Sequence, residues 1–177
     1  MKKGTVVCLK LLRYGLPILL TLFWLGFIFG NSMKNGEASG EQSKQVQEIV
    51  NEVAQSVGVK EPISEKTIRI SAHFTEFFVL ALLECWILAA FGMLRFMQPV
   101  WRPLVGFAAV IADGALMACL DETIQRFSGG RAAEWTDVGT DTLGATLAVV
   151  LVLIGYLTAR FILQIREKKR LAAQQNT

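Results

Sequence analysis

The chain has 177 residues, of which 53% are hydrophobic and only 19% charged, with a formal net charge of +3. That length suits one domain rather than two. The charges are clumped instead of spread along every segment, which excludes an ordinary soluble domain, and no basic run is long enough for a nucleic-acid interface.

Four stretches carry few or no charges. Tyr14 to Gly30 has none, His73 to Leu94 has His73, Glu76 and Glu84, Pro103 to Leu120 has only Asp113, and Val138 to Leu163 has Asp141 and Arg160. A bilayer-spanning helix needs about 20 mostly apolar residues. The expected fold is therefore all-α: an integral membrane bundle of four transmembrane helices, one domain over 1–177. The spans are expected at about 14–31, 73–94, 103–120 and 138–163, with outer loops 32–72 and 121–137.

The first span follows the basic residues Lys2, Lys3, Lys10 and Arg13. Its apolar run is long for a cleaved signal and lacks a small-x-small site, so it reads as an uncleaved anchor. In the loop that follows, Ser39-Gly40-Glu41-Gln42 has the spacing of a capping box. Val46, Ile49, Val50, Val53 and Val57 then form one apolar stripe, and Gly58 is a stop. These residues predict an amphipathic helix on the outer membrane surface or on top of the bundle, either as a plain surface helix or as a lid. Pro62 and Ser64 restart a helix, with Ser64 as cap, that runs unbroken into the second span.

Arg69, His73 and Glu76 share one face of that helix, and Glu84 falls within about 20° of His73. An ionisable group at mid-membrane costs about 2.5–3.5 kcal/mol on insertion scales, so this face must turn toward protein or water. The third span ends in Asp121-Glu122-Thr123-Ile124-Gln125-Arg126, and a turn at Ser128-Gly129-Gly130 presents Arg131. Thr136 or Asp137 is placed to cap the fourth span. Asp141 lies one turn further, beside the small run Gly139, Thr140, Thr142, Gly144, Ala145 and Thr146.

Basic residues set the orientation. The first 13 residues carry Lys2, Lys3, Lys10 and Arg13, the loop after the second span carries Arg95 and Arg102, and the tail carries Arg160, Arg166, Lys168, Lys169 and Arg170. All three fall on one side of a four-span bundle, expected to be cytoplasmic, so both termini are expected inside a cell membrane. Loop 32–72 has five basic and six acidic residues, and loop 121–137 has two and four. Cys8, Cys85 and Cys119 lie at different depths, which predicts packing roles and no disulfide. Trp24 and Trp86 are expected between helices, and Trp101 and Trp135 at the interfaces.

These placements gather a candidate ligand-binding cluster at the outer side: Arg69, His73, Glu76, Glu122, Gln125, Arg131, Asp137 and Asp141. Plain structural roles compete with it, since Asp137 suits a helix cap and Arg131 an ion pair closing the bundle. His73, Glu76 and Glu122 are the candidates for catalysis if there is any. A single histidine assigns no metal, and no motif assigns a cofactor.

The sequence resembles the VanZ-like family of bacterial membrane proteins. The matching pieces are Asn31-Ser32 with Ser39-Gly40-Glu41-Gln42-Ser43, then Ala72-His73-Phe74-Thr75-Glu76-Phe77. Asp121-Glu122 with Gln125-Arg126-Phe127, Gly130-Arg131, Asp137-Val138 and Asp141-Thr142-Leu143-Gly144 complete the set. Family members often have His where this chain has Ile124, and Pro where it has Gly129. The resemblance implies a place in the bacterial cell envelope, and the family takes its name from a protein linked to low-level teicoplanin resistance.

Two functions remain open. In one, the cluster binds an anionic lipid, a lipid-linked cell-wall precursor or a lipoglycopeptide, with Arg69 and Arg131 as bidentate donors. In the other, an intramembrane enzyme acts on a lipid-linked substrate at the outer leaflet, with His73 as general base or with carboxylates holding a divalent cation. No P-loop, zinc-protease or nucleophile-elbow signature supports the enzyme. Four short spans without a repeat are few for a transporter. The oligomeric state is not legible in the sequence.

Overall fold

A computed structural model describes residues 10–59, 61–96, 98–129 and 134–175. Five helices account for most of these residues: α1 (Leu16–Ser32), α2 (Gly36–Ser56), α3 (Glu65–Ala90), α4 (Trp101–Phe127) and α5 (Trp135–Gln175). A π-helical turn, Leu11–Gly15, leads into α1. Helices α1, α3, α4 and α5 are each long and apolar enough to cross a membrane. They run alternately up and down, so the C-terminal ends of α1 and α4 meet the N-terminal ends of α3 and α5.

The packing is that of a bundle solvated by lipid. Phe23 is 72% exposed, Leu143 64% and Phe161 63%, all within the spanning helices. Water would penalise such faces, whereas hydrocarbon tails do not. Trp86 and Cys119 share this exposure. They are thus turned outward and do not pack between helices as expected: on the same helices their neighbours Cys85 and Ala118 take the inward positions. Trp24 does pack inward, donating from Nε1 to the Glu76 carbonyl at 2.8 Å.

Two apolar clusters form the interior. Ala81, Cys85, Phe107, Val110, Ala145, Ala148 and Val149 join α3, α4 and α5. Ile28, Phe77, Leu80 and Ala118 join α1, α3 and α4. The most extensive pairing is α3 with α5, and glycine makes it possible. A Cβ on Gly144 would collide with the Phe74 carbonyl oxygen and would lie 3.3 Å from the Phe78 nitrogen. Gly114 repeats the device between α4 and α5, where an added Cβ would lie 2.8 Å from the Ala145 Cβ. In lipid, close backbone approach of this kind replaces the hydrophobic drive that water would supply.

Several helix ends differ from their expected positions. Helix α2 starts at Gly36 under an Asn35 cap, whose side chain accepts from the Ala38 N–H at 2.9 Å. The Ser39–Gln42 capping box does not form, because Ser39 already lies inside the helix with its N–H bonded to the Asn35 carbonyl at 3.0 Å, and Lys34 Nζ takes the Gln42 side chain at 2.6 Å. Gly58, at φ +93°, ends α2 as expected: Val59 N–H reaches the Ala54 carbonyl and Gly58 N–H the Gln55 carbonyl, both at 3.0 Å. The same arrangement at Gly92, φ +79°, stops α3 at Ala90, short of the expected Leu94. Ser64 caps α3, accepting from the Thr67 N–H at 3.2 Å. At α5, neither Thr136 nor Asp137 is a cap. The helix already includes Trp135, and Asp137 sits in its first turn with its N–H bonded to the Glu134 carbonyl.

If the Gly144 contact sets the spacing of α3 and α5, Gly144→Ala should destabilise the detergent-solubilised protein by about 1–3 kcal/mol, the usual cost of overpacking. Gly139→Ala, where an added Cβ meets nothing within 4 Å, should stay within about 1 kcal/mol of wild type. Thermal unfolding of the two variants side by side checks this, and equal melting temperatures would contradict it.

Candidate functional site

The two ends of the bundle differ in chemistry. At one end Arg95, Arg160, Arg166, Lys168 and Arg170 surround a wide, open concavity. Arg160 there donates to the Gln98 carbonyl at 2.9 Å, and Arg13 Nε to the Ala90 carbonyl at 3.2 Å. The opposite end holds buried acids. Asp121 and Asp141 are fully buried, and His73, Glu122, Gln125, Asp137 and Ser32 are each exposed by less than a tenth.

His73, on α3, is the hub. Its Nδ1 lies 3.7 Å from Asp141 Oδ1 on α5 and 3.9 Å from Asp121 Oδ2 on α4. These distances are too long for hydrogen bonds. Asp121 is held on both oxygens, by Ser32 Oγ at 2.5 Å from α1 and by Gln125 Nε2 at 2.6 Å from one turn along α4. Among the described residues, neither Asp141 oxygen has a hydrogen-bond donor, and His73 Nδ1 has no hydrogen-bond partner. Four helices thus contribute to one group of side chains.

The remaining candidates surround this group. Arg69 lies one turn before His73 and forms an ion pair with Asp137 at 3.8 Å. Glu76 accepts from Asn31 Nδ2 at 3.1 Å, joining α3 to α1. Glu122 points to the start of α5, where Oε2 accepts the Glu134 N–H at 2.9 Å, while Oε1 is buried without a partner among the described residues. Gln125 is spent on Asp121. Arg131 lies outside the described residues. Deeper in the bundle, Glu84 on α3 faces Asp113 on α4, well away from His73.

Two side chains beside His73 were not among the sequence candidates, Asp121 and Ser32. Asp121 shares the Asp121-Glu122 motif, but only one of two adjacent acids can face a given neighbour on a helix. Its i, i+4 spacing to Gln125 is the signal that selects it. The sequence assigned no metal on the strength of a lone histidine. With Asp121 included, one nitrogen and two carboxylate oxygens lie within 4.8 Å of one another, a donor set that suits a cation.

A cavity of about 100 Å³ opens above this group. Arg69, His73 and Glu76 of α3 line one side, Asn31 and Ser32 of α1 another, and Ser39, Gln42, Ser43 and Val46 of α2 form the roof. Helix α2 is anchored there by paired bonds: Ile63 N–H donates to Asn51 Oδ1 at 2.7 Å, and Gln47 Nε2 to the Ile63 carbonyl at 2.9 Å. Its hydroxyl- and amide-bearing face looks inward. Its apolar stripe looks out, with Ile49 62% and Val57 75% exposed. The start of α2 is tied to the end of α4, since Gly36 N–H donates to the Gly129 carbonyl at 3.0 Å and Ser128 Oγ to the Ser32 carbonyl at 2.8 Å.

Comparison with curated proteins and with solved structures gives no match. The family model described as VanZ/LLP1 matches residues 17–157, a stretch that holds nearly all of α1, then α2 to α4, the first 23 residues of α5 and every described residue of the buried cluster. On that match and on its four spanning helices, the chain belongs to the VanZ/LLP1 family and is a multi-pass membrane protein.

Proposed function

We propose that this protein sits in the bacterial cell membrane with both termini inside. Its acidic bundle end then faces outward and binds an anionic headgroup in the cavity under α2. The observation that carries this reading is the state of Arg69. Its guanidinium lines the cavity, its side chain is 38% exposed, and its ion pair with Asp137 is long at 3.8 Å. No hydrogen bond to another described residue uses its donors. A guanidinium placed this way suits the bidentate recognition of a phosphate or carboxylate. Ser39, Ser43, Gln42 and Asn31 add hydroxyls and amides around it.

The size of the cavity narrows the ligand. Pockets for drug-sized molecules run to about 300–1,000 Å³, so some 100 Å³ admits one headgroup and not the body of a lipoglycopeptide. An anionic lipid, or a lipid-linked cell-wall precursor held by its phosphate, fits this reading best. A contribution to teicoplanin resistance would then follow from occupying or masking that precursor, or from engaging the drug through its carboxyl group alone. A second reading, an intramembrane enzyme on a lipid-linked substrate, draws on His73 flanked by two carboxylates, which is how a general base is oriented.

Orientation is tested by single cysteines in a cysteine-free background. Glu41→Cys on α2 should react with a membrane-impermeant maleimide in intact cells, and Ala173→Cys in the tail only after lysis. The reverse pattern would place the cavity inside and end this proposal.

The headgroup is tested with short-chain phosphatidylglycerol against short-chain phosphatidylcholine, added to the purified protein. The anionic lipid should bind in preference, and Arg69→Lys should weaken it by about tenfold, because a lysine loses the bidentate fork. Glu52→Gln, on the exposed side of α2, should change nothing. Equal affinity for the two lipids would refute the headgroup reading.

A further inference from the structure

We infer that His73, Asp121 and Asp141 form a binding site for one divalent transition-metal cation at the floor of the cavity. The three ligand atoms come from three helices and lie within 4.8 Å of one another. Ligands about 2.1 Å from a shared cation, at tetrahedral to trigonal angles, stand about 3.4–3.6 Å apart. The observed 3.7 Å and 3.9 Å from His73 Nδ1 exceed hydrogen-bond length and need only a few tenths of an ångström of side-chain adjustment to reach that spacing.

Asp141 supplies a second, independent observation. It is fully buried, and both carboxylate oxygens lack a hydrogen bond to any described residue. Among the described residues, no lysine or arginine pairs with it. A buried carboxylate without donors is costly, by about 1–3 kcal/mol and more for a charged group. Among the described residues, the basic partner it faces is His73, whose Nδ1 also lacks a hydrogen-bond partner there. Nδ1 and an Asp141 oxygen are therefore two buried ligand atoms 3.7 Å apart without hydrogen-bond partners among the described residues, and a cation between them would satisfy both.

The surroundings match what metal ligands need. Ser32 and Gln125 hold Asp121 in place, the kind of outer partner that fixes a ligand's orientation. Ser32 and His73 also line the cavity, so the triad borders the space from which a cation would enter. One imidazole and two carboxylates suit Mn²⁺, Fe²⁺ or Zn²⁺. They fall short of the six to eight oxygens that Ca²⁺ usually takes. Three protein ligands leave coordination open for water or for an oxygen of a bound anion. The cation rests on its own geometry and does not depend on the headgroup reading.

The test uses the full chain, purified in detergent, stripped with a chelator and titrated with Mn²⁺ in the absence of any anionic ligand. The loss of the free Mn²⁺ resonance should report one tight site per chain, and Zn²⁺ should compete for it. Saturation should raise the melting temperature by about 5 °C or more, as expected for a ligand at a hundredfold its dissociation constant. Asp141→Asn and Asp121→Asn should each weaken binding at least tenfold, while Glu52→Gln leaves it unchanged. Wild-type protein that neither binds Mn²⁺ or Zn²⁺ stoichiometrically nor gains stability overturns the proposal, and this holds even if the aspartate variants fail to fold. Undiminished binding by a folded Asp141→Asn also overturns it. Arg69→Lys separates the two readings, since it should impair capture of the anionic lipid and leave Mn²⁺ binding intact.

Discussion

The structure depends on one constraint: Asp121 and Asp141 are carried into the membrane on separate helices and cannot be left facing hydrocarbon there. Hydrocarbon offers no donors, so an exposed carboxylate on any of these faces would be expensive. The bundle end solves this by turning four helices inward. Ser32 arrives from α1, His73 from α3, Gln125 from α4 itself, and Asp141 from α5. Each helix end is held in place by what it contributes to the group, which is why the polar end has more cross-links than the middle of the bundle.

The close approach of α3 and α5 makes this arrangement possible. Phe74 follows His73 directly, and Gly144 lies three residues beyond Asp141 on the same side of α5. The backbone contact between Phe74 and Gly144 therefore fixes how far His73 stands from Asp141. A larger residue at position 144 would push the helices apart at the depth where the imidazole and carboxylate meet. Packing and site chemistry are thus coupled through a position that carries no functional group. Small residues at interfaces usually serve helix association alone; this one also sets the separation of His73 and Asp141.

Much of this was legible in the sequence. Runs free of charge marked the four spans, and the i, i+4, i+7 spacing of Arg69, His73 and Glu76 marked the polar face of α3. Gly58 was readable as a stop because nothing after it continues the apolar stripe. The pattern was less informative where two residues competed for one role. Gln42 has the spacing to complete a capping box, yet a lysine eight residues earlier in the chain takes its side chain. Asp121 and Glu122 are adjacent acids, and only the packing angle of α4 decides which faces His73. Gly92 sits in an apolar run, so its helix-ending role appears only when its φ of +79° is known. The direction of the α2 stripe was the hardest to read, because an amphipathic helix on a membrane protein has two apolar surroundings to choose between.

That choice bears on where the cavity lies in the bilayer. A soluble protein would bury Ile49, Val53 and Val57, whereas here the inward face of α2 carries Ser39, Ser43, Gln47 and Asn51. With its valines outward, α2 suits the boundary between headgroups and acyl chains, the usual seat of an amphipathic helix. The length of α3 is consistent with this. Its 26 residues extend about 39 Å at 1.5 Å each, roughly 9 Å more than the hydrocarbon core. His73 stands eight residues in from Glu65, about 12 Å along the axis, which brings it close to the edge of the core. A roof at headgroup level and a floor at the acyl boundary describe a cavity that a lipid headgroup could enter from the side, with its tails still in the membrane. On the proposed reading, the outward valines of α2 are then part of the binding device, because they keep the roof at the depth where anionic headgroups are found.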